Sequence, residues 1–600
     1  MQRRALLLGT AGLATLAALP RAFAQSKPAG EGARLNALFD AIMTETLDRS
    51  PQTASSLGLD TGVRAAQKAQ LDDSSIAAWE SDKRRTADQL ARLRRIDRSA
   101  LGPQDRINYD SVVYVTELSD KGYRDFPYIG GPYIISQLTG SYQGVPDFLD
   151  SQHAITIRQD AEDYLSRLVA FATILDQECE LVRHDVALGV VPPDFILDKT
   201  LMQMTALRDV GPDKANLVQS LVRRTADKKI GGHWEPRATA IYTGKVQPAL
   251  DRQIALMKSL RIRAVHDAGV SRLPQGPALY ALSLQQATTS DMAPAQIHQA
   301  GLDLVDSHQK QIDAVLKTSG LPGGTVGERL RVLYNDPKYR YPNTDEGKVK
   351  LIADLNLKVA KVQARLPQWF GTLPKAKLDI RRVPKATEAG APGGYYQPGT
   401  LDGSRPGAYY INLRDTAEVP AWTLPTLTFH EGIPGHHLQL SMAMETDLPM
   451  IRKVQGFSGY SEGWALYAEQ LAGEMGMYDD DPLGRVGQLH DSMFRAVRLV
   501  IDTGLHSQGW SRERAVKYYV DTLGDQDASA ITEVERYCVW PGQACSYMLG
   551  KLDWLRQRQK ARDALGAKFD IKAFHDAGLL SGSVPLKVLD DRIDSYIATA

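Results

Sequence analysis

The sequence predicts a mainly α-helical protein with a small amount of sheet, and three observations carry that reading. Apolar residues recur at helical spacing: Ile352, Leu355, Val359, Val362 and Leu366 advance by 3, 4, 3 and 4, and Ile297, Val305, His308, Ile312 and Val315 keep a similar stripe. Long charged stretches such as residues 79–96 carry the same period, with lysines and arginines on the outward face. Strand signals are confined to two short runs beside a Pro- and Gly-rich segment, and no repeat of fixed period is present. With 600 residues, 43% of them hydrophobic and 24% charged, the composition is that of a folded globular protein and excludes disordered, collagenous and coiled-coil classes. A chain this long exceeds what one compact core serves, so subdomains enclosing a cleft are expected.

Taken in order, residues 1–24 read as a signal peptide. Arg3 and Arg4 precede an apolar run over residues 5–20, and Ala22-Phe23-Ala24 is a small-x-small cleavage site before Gln25. The paired arginines suit the twin-arginine route and equally a plain Sec signal; both lead to the periplasm or to secretion. The run has 16 residues, short of the roughly 20 that span a bilayer, and no later stretch approaches that length without charges, so no membrane span is expected. Lys and Arg number 71 against 71 Asp and Glu, and loss of Arg3, Arg4 and Arg21 with the signal leaves a charge of −3. Such a balance offers no footprint for a phosphate backbone, and no nucleic acid partner is expected.

Helical patterns fill residues 25–370. From Gly371 the texture changes: residues 378–383 read as a strand, 384–407 are rich in Pro and Gly, 409–413 form a second strand, and helices then resume to residue 600. The glycine clusters at 320–327 and 390–403 lack a following Gly-Lys-Ser/Thr and dinucleotide spacing, and are read as loops. Cys179, Cys538 and Cys545 are too few for a disulfide framework and are read as small buried hydrophobes.

The chemistry concentrates in His430-Glu431-Gly432-Ile433-Pro434-Gly435-His436-His437. Imidazole is the commonest neutral zinc ligand, and a glutamate directly after the first histidine is where metallopeptidases place their general base. In the usual His-Glu-x-x-His the ligands stand four apart, on one helical turn; here Pro434 occupies that place. Two alternatives remain. A spacing of seven, His430 to His437, rotates by roughly 700° and returns to the same helix face. A spacing of six, His430 to His436, requires the segment holding Gly432, Pro434 and Gly435 to bulge, and those residue types interrupt helices. About thirty residues on, Tyr460-Ser461-Glu462-Gly463-Trp464-Ala465-Leu466-Tyr467-Ala468-Glu469 supplies Glu462 as a third ligand from a separate helix, which leaves a fourth position for water. Glu469, two turns further, reads as an outer partner or salt-bridging group, and Trp464 and Tyr467 as core.

These segments, together with Arg-Tyr-x-x-x-Pro-Gly-Gln-Ala-x-Ser-Tyr at 536–547, resemble the bacterial family called domain of unknown function 885, over nearly the whole mature chain. By wider resemblance that family stands near the gluzincin peptidases. This implies a zincin-like helical fold with a deep channel between two halves: residues 25–370 would form one channel wall, and 371–600 the catalytic region with a small sheet near the active-site helix. It also implies one zinc ion. The chain matches their His-Glu-x-Gly-His plus downstream glutamate at His430, Glu431, Glu462 and a Gly-His pair, and departs by the extra residues before His436. The reaction implied is hydrolysis of peptide bonds, with zinc lowering the pKa of water to about 7 and Glu431 taking the water proton and passing it to the leaving amine. Tyr547, Tyr537 and Arg536 are candidate donors to the oxyanion.

Residues 409–413 are a candidate exposed edge for an extended peptide, with Gly394-Tyr395-Tyr396 and residues 402–407 as channel loops; an ordinary hairpin is the alternative. Arg495, Arg498, Asp502 and His506 form a further polar set on a helix, with His506 a candidate outer partner of the metal site. Rival functions are a zinc amidase or esterase acting on non-peptide substrates, and a non-catalytic zinc-stabilised binding protein; Glu431 tells against the latter, since a structural site needs no base.

Overall fold

The computed structural model describes residues 30–385, 388, 392–399 and 405–600. The predicted signal peptide, and residues 402–404 of the proposed channel loops, lie outside the described residues. Helices dominate, and the predicted elements appear close to their expected bounds: Ile76–Leu93, Pro294–Thr318 and Asp345–Gln363 carry the three helical patterns. Among the described residues no helix is long and apolar enough to cross a membrane.

Eight helices and three strands suffice to place the site. They are α1 (Arg158–Ala187), α2 (Pro294–Thr318), α3 (Leu424–Glu431), α4 (His436–Glu445), α5 (Ser458–Glu474), α6 (Pro482–Ser507), α7 (Asp527–Val539) and α8 (Ser546–Leu565). The strands are β1 (Leu378–Arg382), β2 (Gly394–Gln397) and β3 (Gly407–Ile411), in spatial order β1-β3-β2. β3 runs parallel to β1, with Ile380 opposite Tyr409, and antiparallel to β2, with Tyr396 opposite Tyr409.

This sheet corrects two expectations. The strand over 407–411 is central, paired on both sides and buried at four of its five residues, so it offers no edge to a peptide. The edge is β2, at Gly394-Tyr395-Tyr396, which sequence reads as a loop because four residues between Gly and Pro carry too little alternation. The glycine cluster at 320–327 is a loop only as far as Thr325, whose side chain caps a helix beginning at Val326.

Three large apolar clusters hold the molecule together. One follows α1, with Tyr164, Leu168, Phe171 and Leu175 fully or almost fully buried. A second is built on α6 and α2, with Met493, Val497 and Val500 against Ile297, Val305 and Ile312, and draws on residues from Phe126 to Leu549. A third joins the sheet to α3, α5 and α8 through Tyr409, Phe429, Trp464 and Trp554. The second therefore runs across the change of texture at 371. Where α5 crosses α8 the backbones nearly touch: a Cβ on Gly463 would run into the backbone of Gly550. All three cysteines are buried and free.

Candidate metal centre

The His430 segment is two helices joined by a tight turn. α3 ends at Glu431, residues 432–435 reverse the chain, and α4 begins at His436. Gly435 is required where it stands, because a Cβ there would run into the carbonyl oxygens of Phe429 and His430. Trp464 of α5 supports the turn from below, its buried indole N–H donating to the Pro434 carbonyl at 3.0 Å. The turn brings the first residue of α4 against the last turn of α3, and the His430 and His436 rings stand 4.8 Å apart at 89°.

Glu462 completes the group. Its Oε2 is 3.5 Å from His430 Nε2 and 3.3 Å from His436 Nε2, and the three residues offer ligand atoms all within 4.8 Å of one another. His430 Nδ1–H donates to Glu469 Oε1 at 2.7 Å, which orients the ring and turns its Nε2 towards Glu462. Glu462 and Glu469, seven residues apart, share one face of α5. Glu469 is fully buried; burial pushes its carboxyl up to about 7, Asp491 adds to this, and His430 pulls it back. Burial alone would also raise Glu462, yet the His436 and His430 rings hold it well below the usual carboxylate range.

The donor set fits a zinc ion. Ligands about 2.0–2.1 Å from a tetrahedral zinc are roughly 3.4 Å from one another, and the two imidazole-to-carboxylate distances are 3.5 and 3.3 Å. Glu462 Oε2 is buried without a hydrogen-bond partner, an expensive arrangement for a carboxylate that nothing coordinates.

His437 does not join this group. Its Nδ1 accepts from the Tyr396 hydroxyl at 3.0 Å, its Nε2 lies 3.2 Å from the Ala376 carbonyl, and burial lowers its pKa to about 4. The seven-residue alternative assumes an unbroken helix, and the break at 432–435 puts His436 where His437 would have been.

The group opens into a cavity of about 780 Å³. Glu431, Tyr396, Arg536 and Tyr547 line it, and of the described residues before 371 only Tyr334 does, so the wall expected from residues 25–370 is contributed almost wholly by the later part of the chain. Tyr537 is corrected: it is fully buried and absent from the cavity wall, its hydroxyl donating to Glu533 Oε2 at 2.8 Å and accepting from Arg498 Nε at 3.2 Å. Arg536 reaches the cavity but is held by Glu533 at 3.0 Å and Gln543 at 2.5 Å. The α6 polar set divides. Arg495 and Arg498 line the cavity, whereas Asp502 accepts from the Tyr280 hydroxyl and the Gly542 amide. His506 bridges the Val270 amide and the Tyr537 carbonyl and does not line the cavity. Sequence reasoning misses Glu533 and Asp491, whose only signal is helical spacing to arginines on the same helix.

A model of a bacterial protein family of unknown function, DUF885, matches residues 51–593. The chain belongs to this family. A candidate lipoprotein of Colwellia psychrerythraea is similar to this DUF885 chain at 29% identity and a TM-score of 0.90, over 95% of this chain and 100% of its own. A candidate lipoprotein of unknown function from Shewanella oneidensis, at 16% identity and a TM-score of 0.73 over 93% and 99%, shares the fold. A Pyrococcus furiosus carboxypeptidase reaches a TM-score of only 0.34 at 12% identity, over 95% and 98%, and bears on neither fold nor chemistry. No curated protein matches the chain.

Proposed function

We propose that this DUF885 protein is an exported zinc-dependent metallopeptidase that hydrolyses peptide bonds. The observation that carries the reading is the convergence of His430, His436 and Glu462 on one cavity, with Glu431 at its wall and Glu469 behind His430. Bound there, zinc would supply Lewis acidity and a water acidic enough to deprotonate near neutral pH. The protein does the rest. Glu431, the residue after His430 and a cavity-wall carboxylate, takes the proton from water and delivers it to the leaving nitrogen. Glu469 holds the His430 tautomer.

The peptide reading draws on the sheet. β2 pairs with β3 alone among the described strands, and Gly394, Tyr395 and Tyr396 line the cavity, so an extended chain can lie along that edge with its backbone paired and its side chains unread. Tyr547 and Arg536 remain the oxyanion donors of this proposal. Export is supported by the signal-like residues 1–24 and by two similar structures described as candidate lipoproteins. The test is metal analysis and peptide hydrolysis of the wild type beside Glu431→Gln: about one zinc per chain in both proteins, with turnover lost only in the variant. Retained turnover refutes the role given to Glu431.

A further inference from the structure

The wall of the same cavity also carries three guanidinium groups, those of Arg495, Arg498 and Arg536. Asp491 and Glu533 are their direct carboxylate partners. Asp491 receives Arg495 Nε at 3.3 Å, and Glu533 is shared by Arg498 at 2.9 Å and Arg536 at 3.0 Å.

Arg495 is the group shaped to bind an anion. The residue is 9% exposed, and its guanidinium lies over the Phe494 ring at 4.7 Å and the Tyr547 ring at 4.8 Å. Those contacts and the Asp491 bond fix the plane through Nε, while its two Nη atoms have no hydrogen-bond partner among the described residues. A planar fork with both Nη donors available is the geometry that pairs with a carboxylate. Arg498 lies on the other contacts of the same rings, 4.2 Å from Phe494 and 4.5 Å from Tyr547, with its Nη1 buried and unpartnered, so it adds charge from beneath. Asp491 sits beside Glu469, and Arg495 is one turn further along α6, ~6 Å at 1.5 Å per residue.

We infer that the Arg495 fork, backed by Arg498 and Tyr547, binds a carboxylate of the substrate, and that this carboxylate is the free C terminus of a peptide. The inference rests on the peptidase reading for the peptide nature of the ligand, but the carboxylate site itself does not. An acidic side chain offers the same chemistry, and the experiment separates the two sources.

A dye-labelled pentaalanine is prepared as the free acid, as the C-terminal amide, and as the amide with glutamate in last place. Each is titrated by fluorescence anisotropy into zinc-loaded Glu431→Gln protein, with and without Arg495→Gln, and each is incubated with wild type and its products weighed. The free acid binds about 10- to 100-fold tighter than the neutral amide, the yield of one charge-assisted pair. Arg495→Gln removes that preference, and Arg495→Lys, which keeps charge but loses the fork, restores it only in part. If the glutamate amide matches the free acid, the carboxylate is recognised as a side chain and the assignment to a free C terminus falls. Equal binding of all three forms overturns the site, and this comparison needs no Arg495 variant to fold. Acid preference without turnover of any form would sink the peptidase reading and leave the carboxylate site standing; cleavage of acid and neutral amide alike would do the reverse.

Discussion

Replacing Glu469 by Gln isolates the outer support of the metal centre. The carboxylate is fully buried and its Oε1 accepts from His430 Nδ1 at 2.7 Å, while its Oε2 has no hydrogen-bond partner. Glutamine has the same volume and can still accept that bond, so the ring keeps its orientation and only the charge behind it is lost. Carboxylates in this position raise the basicity of the ligating nitrogen, and removing one weakens metal binding by about 10- to 100-fold, ~1.4 to 2.7 kcal/mol. The short distance and complete burial here place the expected loss towards the upper end. Zinc affinity is read by competition with a fluorescent chelator at neutral pH, with far-ultraviolet circular dichroism as the control for folding. An unchanged affinity in a folded variant would refute the claim that Glu469 acts on a metal through His430.

Three further outcomes follow from packing and charge. Trp464→Phe leaves the buried Pro434 carbonyl without its donor at 3.0 Å; the cost is about 1–3 kcal/mol, seen as a lowered denaturation midpoint, with weaker zinc binding as the turn loosens. Gly463→Ala forces a methyl into the backbone of Gly550 where α5 crosses α8, and costs at least the ~1–3 kcal/mol of an overpacked core, measured by thermal melting. Asp160→Asn tests a charge at the start of α1. Burial raises this carboxyl, but Lys68 at 2.8 Å, the Thr156 hydroxyl and the backbone amides of Ile157 and Thr156 outweigh it and hold the pKa at about 2. A depressed carboxyl stabilises the fold above its unfolded pKa of about 4, and that stability is lost as pH falls through about 2. The variant is therefore less stable than wild type at neutral pH, and the gap closes between pH 4 and 2; a gap that persists at pH 2 would contradict the assignment.

What sequence conveys differs by element. The long amphipathic helices are legible because five or more apolar residues repeat the period, as in Ile352 to Leu366. β2 is not, because four residues in a Gly- and Pro-rich stretch carry no period of their own and become a strand only against β3. Within the metal centre, residue types and order point to His430, Glu431 and Glu462, since ligand chemistry restricts them. The choice between His436 and His437 depends on a helix break whose geometry is set by Gly435 and by Trp464 reaching from another helix, contacts that no local pattern encodes. The Tyr537 candidacy fails for a similar reason: its neighbour Arg536 faces the cavity, and on a helix adjacent residues point about 100° apart. The arginine wall is half visible, as Arg495 and Arg498 on one helix, but its partner Glu533 comes from α7.

The most direct test of the account is zinc-edge anomalous diffraction from crystals of the protein grown with zinc. The account predicts a single strong peak about 2.0–2.2 Å from a ring nitrogen of His430, a ring nitrogen of His436 and a carboxylate oxygen of Glu462, with His437 still bonded to Tyr396. A peak coordinated by His437, or none between those three side chains, would contradict it.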